Sequence, residues 1–266
     1  MAQFLIVAKA DGLDEYRKIA DEYGVGFEYN DFYMPDLLDD NLKLQSVMDR
    51  YRTVGVPEYC TMHGAFFDII PFSNDSAIRR VSLERMKESM EIAEKMGARG
   101  VVFHTNCYPM LYSEMYNKGV IDGIVSALKN LLETYRNIDI YLENMFDGNP
   151  DIMKAISQQL SKYVNYGVCL DYSHAIISGT DIDIWVEALH PYIRHVHIND
   201  NDLKSDLHLA VGDGKIDWDG FKKYYKKYFT GCSILIETTN SDNQIKSLEY
   251  LTKIGIFKEE NNEQGK

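Results

Sequence analysis

Nine residues of this chain have the types and positions needed to hold a divalent metal. Five of them end short apolar runs: His63 in YCTMH, His104 in GVVFH, Glu143 in IYLE, Asp171 in GVCLD and Glu237 in ILIE. A sixth, His197, sits in the run RHVHI. Three more follow such runs: His174, three residues after Asp171, and Asp206 and His208 in SDLHLAVGDG. Imidazole nitrogens mixed with carboxylate oxygens suit Zn, Mn, Fe or Co better than Ca or Mg alone. A single histidine ending an apolar strand is more often a hydrogen-bonded structural residue than a ligand. The joint pattern differs, because several buried carboxylates around one point are very unfavourable without a cation.

The elements that must bring these residues together are short apolar runs alternating with segments of helical period. Strands are expected over residues 4–8, 25–29, 59–64, 100–104, 139–143, 166–171, 194–198 and 233–237. Several are rich in Val and Ile and nearly all apolar, as in a parallel sheet covered on both faces. Between them, Leu83, Met86, Met90 and Ala93 mark a helical face from Ser82 to Met96, with Gly97 as its C-cap. Ile121, Ile124, Val125, Leu128 and Leu132 mark another. Ser241 and Asp242 are candidate caps of a last helix carrying Ile245, Leu248 and Leu251.

Eight strands, each followed by a helix, predict an α/β fold of one domain, a closed (β/α)8 barrel over residues 1–257. Residues 258–266 are expected to be a disordered tail. In such a barrel the carboxyl ends of the strands converge on one face, where active sites sit. No G-x-G-x-x-G follows the first strand, which argues against dinucleotide binding. His190 and His195 are placed outside the site, His195 being expected to face the helices. Tyr108, Tyr112 and Tyr172 fall on loops of the active face, and Phe66, Phe67 and Phe146 are candidates for an apolar wall there.

The formal net charge of −13 and pI near 5.0 repel polyanions, which argues against nucleic acid and anionic membranes as partners. The four cysteines form no C-x-x-C pair, and Cys169 and Cys232 lie in apolar runs as buried thiols. The apolar start MAQFLIVAKADG lacks a basic region and is short for a signal peptide, and no run reaches membrane-spanning length. A cytoplasmic protein is the expectation.

The runs CLDYSHAIISGTD and VHINDNDLKSDLHLAVGDGKIDW resemble the xylose-isomerase-like TIM-barrel superfamily, which joins sugar isomerases and epimerases with endonuclease IV. The resemblance spans the chain from the strand ending at His63 to that ending at Glu237. In the sugar branch one divalent metal is held by Glu, Asp, His and Glu, matching Glu143, Asp171, His197 and Glu237. The resemblance implies isomerisation or epimerisation of a sugar or sugar phosphate through an enediolate, with Glu143 and Glu237 as catalytic acid and base. His174 resembles the substrate-binding histidine of that branch, and His63, His104 and His208 are further candidates for substrate contact. The implied cofactor is Zn, Mn, Co or Mg, in one to three copies, and association into a homo-oligomer is common in the superfamily.

The endonuclease IV branch uses nine ligands around three zinc ions, and His63, His104, Glu143, Asp171, His174, His197, Asp206, His208 and Glu237 match that set. A zinc-dependent apurinic/apyrimidinic endonuclease is therefore the alternative reading. A keto-sugar or inositol lyase or dehydratase using the same enolisation chemistry is a further one. Two departures weigh against the endonuclease: Leu207 replaces the arginine of its D-R-H motif, and Thr105-Asn106 replaces Pro-Gly after His104. The loops 68–75 and 146–150 also offer few cations for phosphates. Epimerases often carry a substrate-contacting arginine after the histidine strand, where this chain has only Lys204.

Overall fold

The computed structural model describes residues 2–108, 111, 113–238 and 240–258. Eight parallel strands close into a barrel in chain order: β1 (Gln3–Ala8), β2 (Gly26–Tyr29), β3 (Cys60–His63), β4 (Gly100–His104), β5 (Asp139–Glu143), β6 (Tyr166–Asp171), β7 (Ile193–Ile198) and β8 (Ser233–Ile236). Pairing of β1 with β8 completes the ring. The expected strands at 100–104, 139–143 and 166–171 coincide with β4, β5 and β6, and the others agree to within one residue at each end. Residues 259–266 of the expected tail, and Tyr112, lie outside the described residues.

The apolar runs work because each strand has two covered faces. Phe4, Ile6 and Ala8 point outward into the layer between sheet and helices, while Leu5 and Val7 meet Leu235 inside the barrel. Val102, Tyr141 and Cys169 form a second interior cluster. Side chains therefore fill the barrel below its mouth, leaving the strand ends free to carry polar groups.

The helices extend the periodic segments to proper caps. The helix over Ser76–Met96 starts earlier than the expected Ser82, because the Asp75 side chain accepts from the backbone N–H groups of Ala77 and Ile78. Gly97, with φ of 68°, closes it. Leu83 is exposed on this helix, and its buried face instead runs through Ser82, Met86, Ser89, Met90 and Ala93. The last helix, Ser241–Lys253, is capped by the side chain of Asn240 on the Asn243 N–H rather than by Ser241 or Asp242. Among the described residues, no helix is long and apolar enough to cross a membrane.

One loop needs special support, the long connection after β7 that carries Asp206 and His208. Its anchor is Asp200, fully buried, whose Oδ1 accepts from the N–H groups of Asn201 and Ile216. Oδ2 accepts from the Gly212 N–H at 2.9 Å and the Trp218 indole at 2.8 Å. A backbone bridge between Asp200 and Leu209 then folds the loop back over the barrel mouth. Gly214 is required by close approach, since a Cβ there would lie 2.2 Å from Asp200 Oδ1 and 2.4 Å from the Asn201 carbonyl. Asp200→Asn replaces one acceptor oxygen by a donor facing two buried donors. It should cost about 2–4 kcal/mol and lower the melting temperature by about 5–15 °C. Calorimetry of the purified variant checks this; an unchanged melting temperature would refute the anchoring role.

Candidate metal centre

The strand ends deliver the polar residues to one point. His104 and Glu143 are paired across β4 and β5, and Asp171 and His197 across β6 and β7. Glu237 follows β8 directly, with its N–H bonded to the Ile198 carbonyl at 2.9 Å. His174 arrives by local geometry: Asp171 caps the short helix Tyr172–Ile177 by accepting from the His174 N–H at 2.6 Å. That use of Oδ1 leaves Asp171 Oδ2 free and turns the His174 ring over it, at 3.5 Å. This explains the D-x-x-H spacing.

All nine expected ligands are brought together, in three groups whose donor atoms lie within 4.8 Å of one another. One is Glu143, Asp171, His197 and Glu237; a second is His63, His104 and Glu143; the third is His174, Asp206 and His208. Glu143 belongs to two groups: its Oε2 lies 3.3 Å from His104 Nε2 and 3.4 Å from His197 Nδ1. His197 Nδ1 is also 3.4 Å from Glu237 Oε2. In the third group His174 Nε2 and His208 Nε2 approach Asp206 Oδ2 at 3.3 and 3.1 Å.

The orientation of the histidines fits metal binding. Carbonyl oxygens only accept, so a ring nitrogen facing one must carry the proton. Nδ1 of His63 faces the Gly64 carbonyl, that of His174 the Asn144 carbonyl and that of His208 the Glu237 carbonyl, at 2.9 to 3.0 Å. In the neutral rings each Nε2 then presents a lone pair to the site, the arrangement by which outer partners fix metal-ligating histidines. Furthermore, Glu143 Oε2, Asp171 Oδ2, His197 Nδ1 and Glu237 Oε2 are buried without any hydrogen-bond partner. One such atom from each residue of the four-residue group is the signature of a cation site.

Without a cation, protons must fill that role. Burial alone would push the Glu143 carboxyl up and the His197 imidazole down, yet His197 and His104 outweigh it at Glu143, and Cys169, Glu143, Glu28 and Glu237 outweigh it at His197. Glu143 is thus held well below its usual range and His197 well above. Asp171 is pushed up to about 7 by burial, partly opposed by His174 and reinforced by Glu237 and Glu143. Burial opposes the charged form of His208 too, but Asp206 and Glu237 raise it to about 10.

Several features escaped the sequence analysis. His195 was expected to face the helices, but it is fully buried inside the barrel beside His197, because residues two apart on a strand share a face. Glu28, mid-strand in GFEY, is fully buried beneath the site; its only sequence signal is a carboxylate inside an apolar run. Tyr172 is not on the active face but buried against Phe221, at 4.9 Å between ring centroids. Tyr108 is exposed. Cys169 and Cys232 are buried as expected.

Above the donors opens a cavity of about 350 Å³. Phe66 packs 4.8 Å from both His63 and His104, and Phe146 lies 5.7 Å from His174. Phe67 and Tyr33 extend this apolar wall, as expected for the three phenylalanines. Among the described lining residues Lys9 is the one lysine or arginine; Lys204 does not line the cavity.

Two consequences are measurable. Zn, Mn or Co added to chelator-treated protein should raise the melting temperature, since an ion at a hundredfold its dissociation constant adds about 2.7 kcal/mol. Metal uptake should release protons and weaken as the pH falls through 7 towards 5, because the ligands must give up protons to bind. Titration calorimetry in buffers of different ionisation enthalpy measures the proton count; heats identical across buffers would contradict this account.

Comparison with known proteins agrees with the architecture. A family model described as "Xylose isomerase-like TIM barrel" matches residues 18–254. Among relatives, the uncharacterized protein MJ1311 of Methanocaldococcus jannaschii is 30% identical over 79% of this chain and 73% of its own length. A probable endonuclease 4 of Mesomycoplasma hyopneumoniae is 26% identical over 77% and 78%. Among solved structures, the TTHB071 protein of Thermus thermophilus, soaked with ZnCl2, superposes with a TM-score of 0.76 at 21% identity, over 95% of this chain and 97% of that one. A D-tagatose 3-epimerase-like protein gives a TM-score of 0.75 at 24% identity, over 94% and 96%. With a matching fold, and a family model that spans most of its length, this chain belongs to the xylose isomerase-like TIM-barrel family.

Proposed function

We propose that this protein is a divalent-metal-dependent isomerase or epimerase of a small sugar or sugar phosphate. The observation that carries the reading is the placement of Glu143 and Glu237. Both carboxylates lie 3.4 Å from His197 Nδ1, at the floor of a cavity with an aromatic wall. A divalent ion held by Glu143, Asp171, His197 and Glu237 would supply Lewis acidity, polarising the substrate carbonyl and stabilising negative charge on its oxygens.

The remaining steps belong to the protein. One of the two glutamates takes the proton from the carbon beside the carbonyl, and the other returns a proton to the same or a neighbouring carbon. His63, His104, His174 and His208 stand where they can contact substrate hydroxyls. Phe66, Phe67 and Phe146 cover an apolar face of the sugar and exclude water. The likeness to a D-tagatose 3-epimerase-like structure supports this direction. A cavity with Lys9 as the one lysine or arginine among its described lining residues suits a small polyol better than a nucleic-acid backbone.

A second reading, hydrolysis of DNA at abasic sites, is favoured by one observation. The three donor groups comprise the full nine-residue set, and a probable endonuclease 4 is among the relatives.

Incubation of the metal-loaded protein with a ketohexose and ketopentose panel in D2O tests the first reading. Deuterium should enter at a carbon next to the carbonyl, and Glu143→Gln and Glu237→Gln should each slow this by about 10²–10⁴-fold. Exchange that survives in both variants would sink the assignment. Incision of an abasic-site duplex by the zinc-loaded protein, with no sugar exchange, would transfer it to the second reading.

A further inference from the structure

His197 differs from the other histidines of the centre. His63, His174 and His208 turn Nδ1 to a backbone carbonyl and Nε2 to the site. His197 is reversed: Nδ1 faces Glu143 and Glu237, and Nε2 points down into the barrel. What meets it there is a carboxylate. Glu28 Oε1 lies 3.4 Å from His197 Nε2, and both side chains are fully buried.

Glu28 is itself held on several sides. Its Oε2 accepts from the Thr61 hydroxyl at 2.7 Å and lies 3.2 Å from His195 Nε2. His195 is fixed in turn by a 2.6 Å contact of its Nδ1 with the Ser233 hydroxyl, and by stacking on Tyr141 at 5.0 Å and 13°. With an ion held between Glu143 and Glu237, the Nδ1 lone pair is committed to it, so the one proton of a neutral His197 sits on Nε2, facing a Glu28 carboxylate that only accepts. A neutral His197 protonated on Nε2 has its lone pair on Nδ1, aimed between Glu143 and Glu237. Three acceptors then face one another, and a cation satisfies all of them at once.

We propose that Glu28, braced by Thr61 and His195, is a positioning residue that holds His197 in the Nε2-protonated form and so presents Nδ1 to the divalent ion. This rests on the metal reading of the Glu143, Asp171, His197 and Glu237 group. Glu28 touches no substrate; it acts through His197, as outer carboxylates do on metal-bound histidines.

The test uses the full chain stripped of metal and titrated with Zn against a competing chelator. Glu28→Gln should bind the ion of this group about 10–100-fold more weakly than wild type. Thr61→Val also removes a buried hydrogen bond but leaves the carboxylate, and should stay within about threefold. Loss in Glu28→Gln no greater than in Thr61→Val overturns the proposal while the metal reading stands. Wild-type protein that binds no zinc overturns both. A measurement on wild type covers the case in which Glu28→Gln does not fold. In the zinc-loaded protein with ¹⁵N-labelled histidine, His197 should show a proton on Nε2 and a metal-shifted Nδ1. Metal on Nε2, or a proton on Nδ1, overturns the proposal.

Discussion

At the mouth of this barrel, largely buried carboxylates and imidazoles face one another across 3 to 4 Å. Carboxylate oxygens of Glu143, Asp171 and Glu237 converge on His197 Nδ1, and none of these buried atoms has a hydrogen-bond partner. In a medium of low polarisability such an arrangement is tolerable only if positive charge sits inside it. Protons on histidine meet that need when no ion is present, and a divalent ion meets it better because it satisfies every acceptor at once. Much of the surrounding structure makes sense as the framework that keeps these groups from turning away. Closure of the strands fixes the spacing of the side chains, and the backbone carbonyls of residues 64, 144 and 237 hold three imidazoles from behind.

The interior of the barrel supports this centre. Beneath the donors the interior is packed by apolar side chains, among them Leu5, Leu235, Val102 and Tyr141, while Val7 reaches up to line the cavity. Interleaved with them are the polar Glu28, Thr61, His195 and Ser233, all buried: Glu28 is in register with Val7 and Thr61, and His195 stacks on Tyr141. The donors stand above them, and the aromatic loops close the top. Inward-facing residues alternate along each strand, so packing, support and donor groups stand two residues apart, as in Ser233, Leu235 and Glu237.

Much of this was legible in the sequence, for a physical reason. An acidic or imidazole residue that ends an apolar run is costly to bury, so its presence there signals a purpose, and six strands repeat the signal. Where the signal was weaker the reading failed. Glu28 is followed by the aromatic Tyr29 rather than by a loop, so it does not look like a strand end, although it is as buried as Glu143. His195 was assigned to the wrong side of the sheet, although the two-residue step from His197 places it inside. Asp200 could not be understood from its neighbours, because its donors come from Gly212, Ile216 and Trp218, which only the folded loop brings near. The cap of the last helix fell one residue before the expected Ser241, within the usual uncertainty of helix ends.

The double membership of Glu143 has a thermodynamic consequence. One carboxylate serves both the group built on His63 and His104 and the group built on Asp171, His197 and Glu237. Electron density that it lends to an ion on one side is withdrawn from the other, and the like charges of two ions would repel across it. The two groups therefore cannot fill independently. Whatever factor occupancy of one imposes on the affinity of the other is returned in equal measure, by the reciprocity that links any two coupled sites. Were both groups to take ions, the effective stoichiometry would be a function of free metal concentration rather than a constant, and the same chain would present a one-ion or a many-ion centre according to the supply around it.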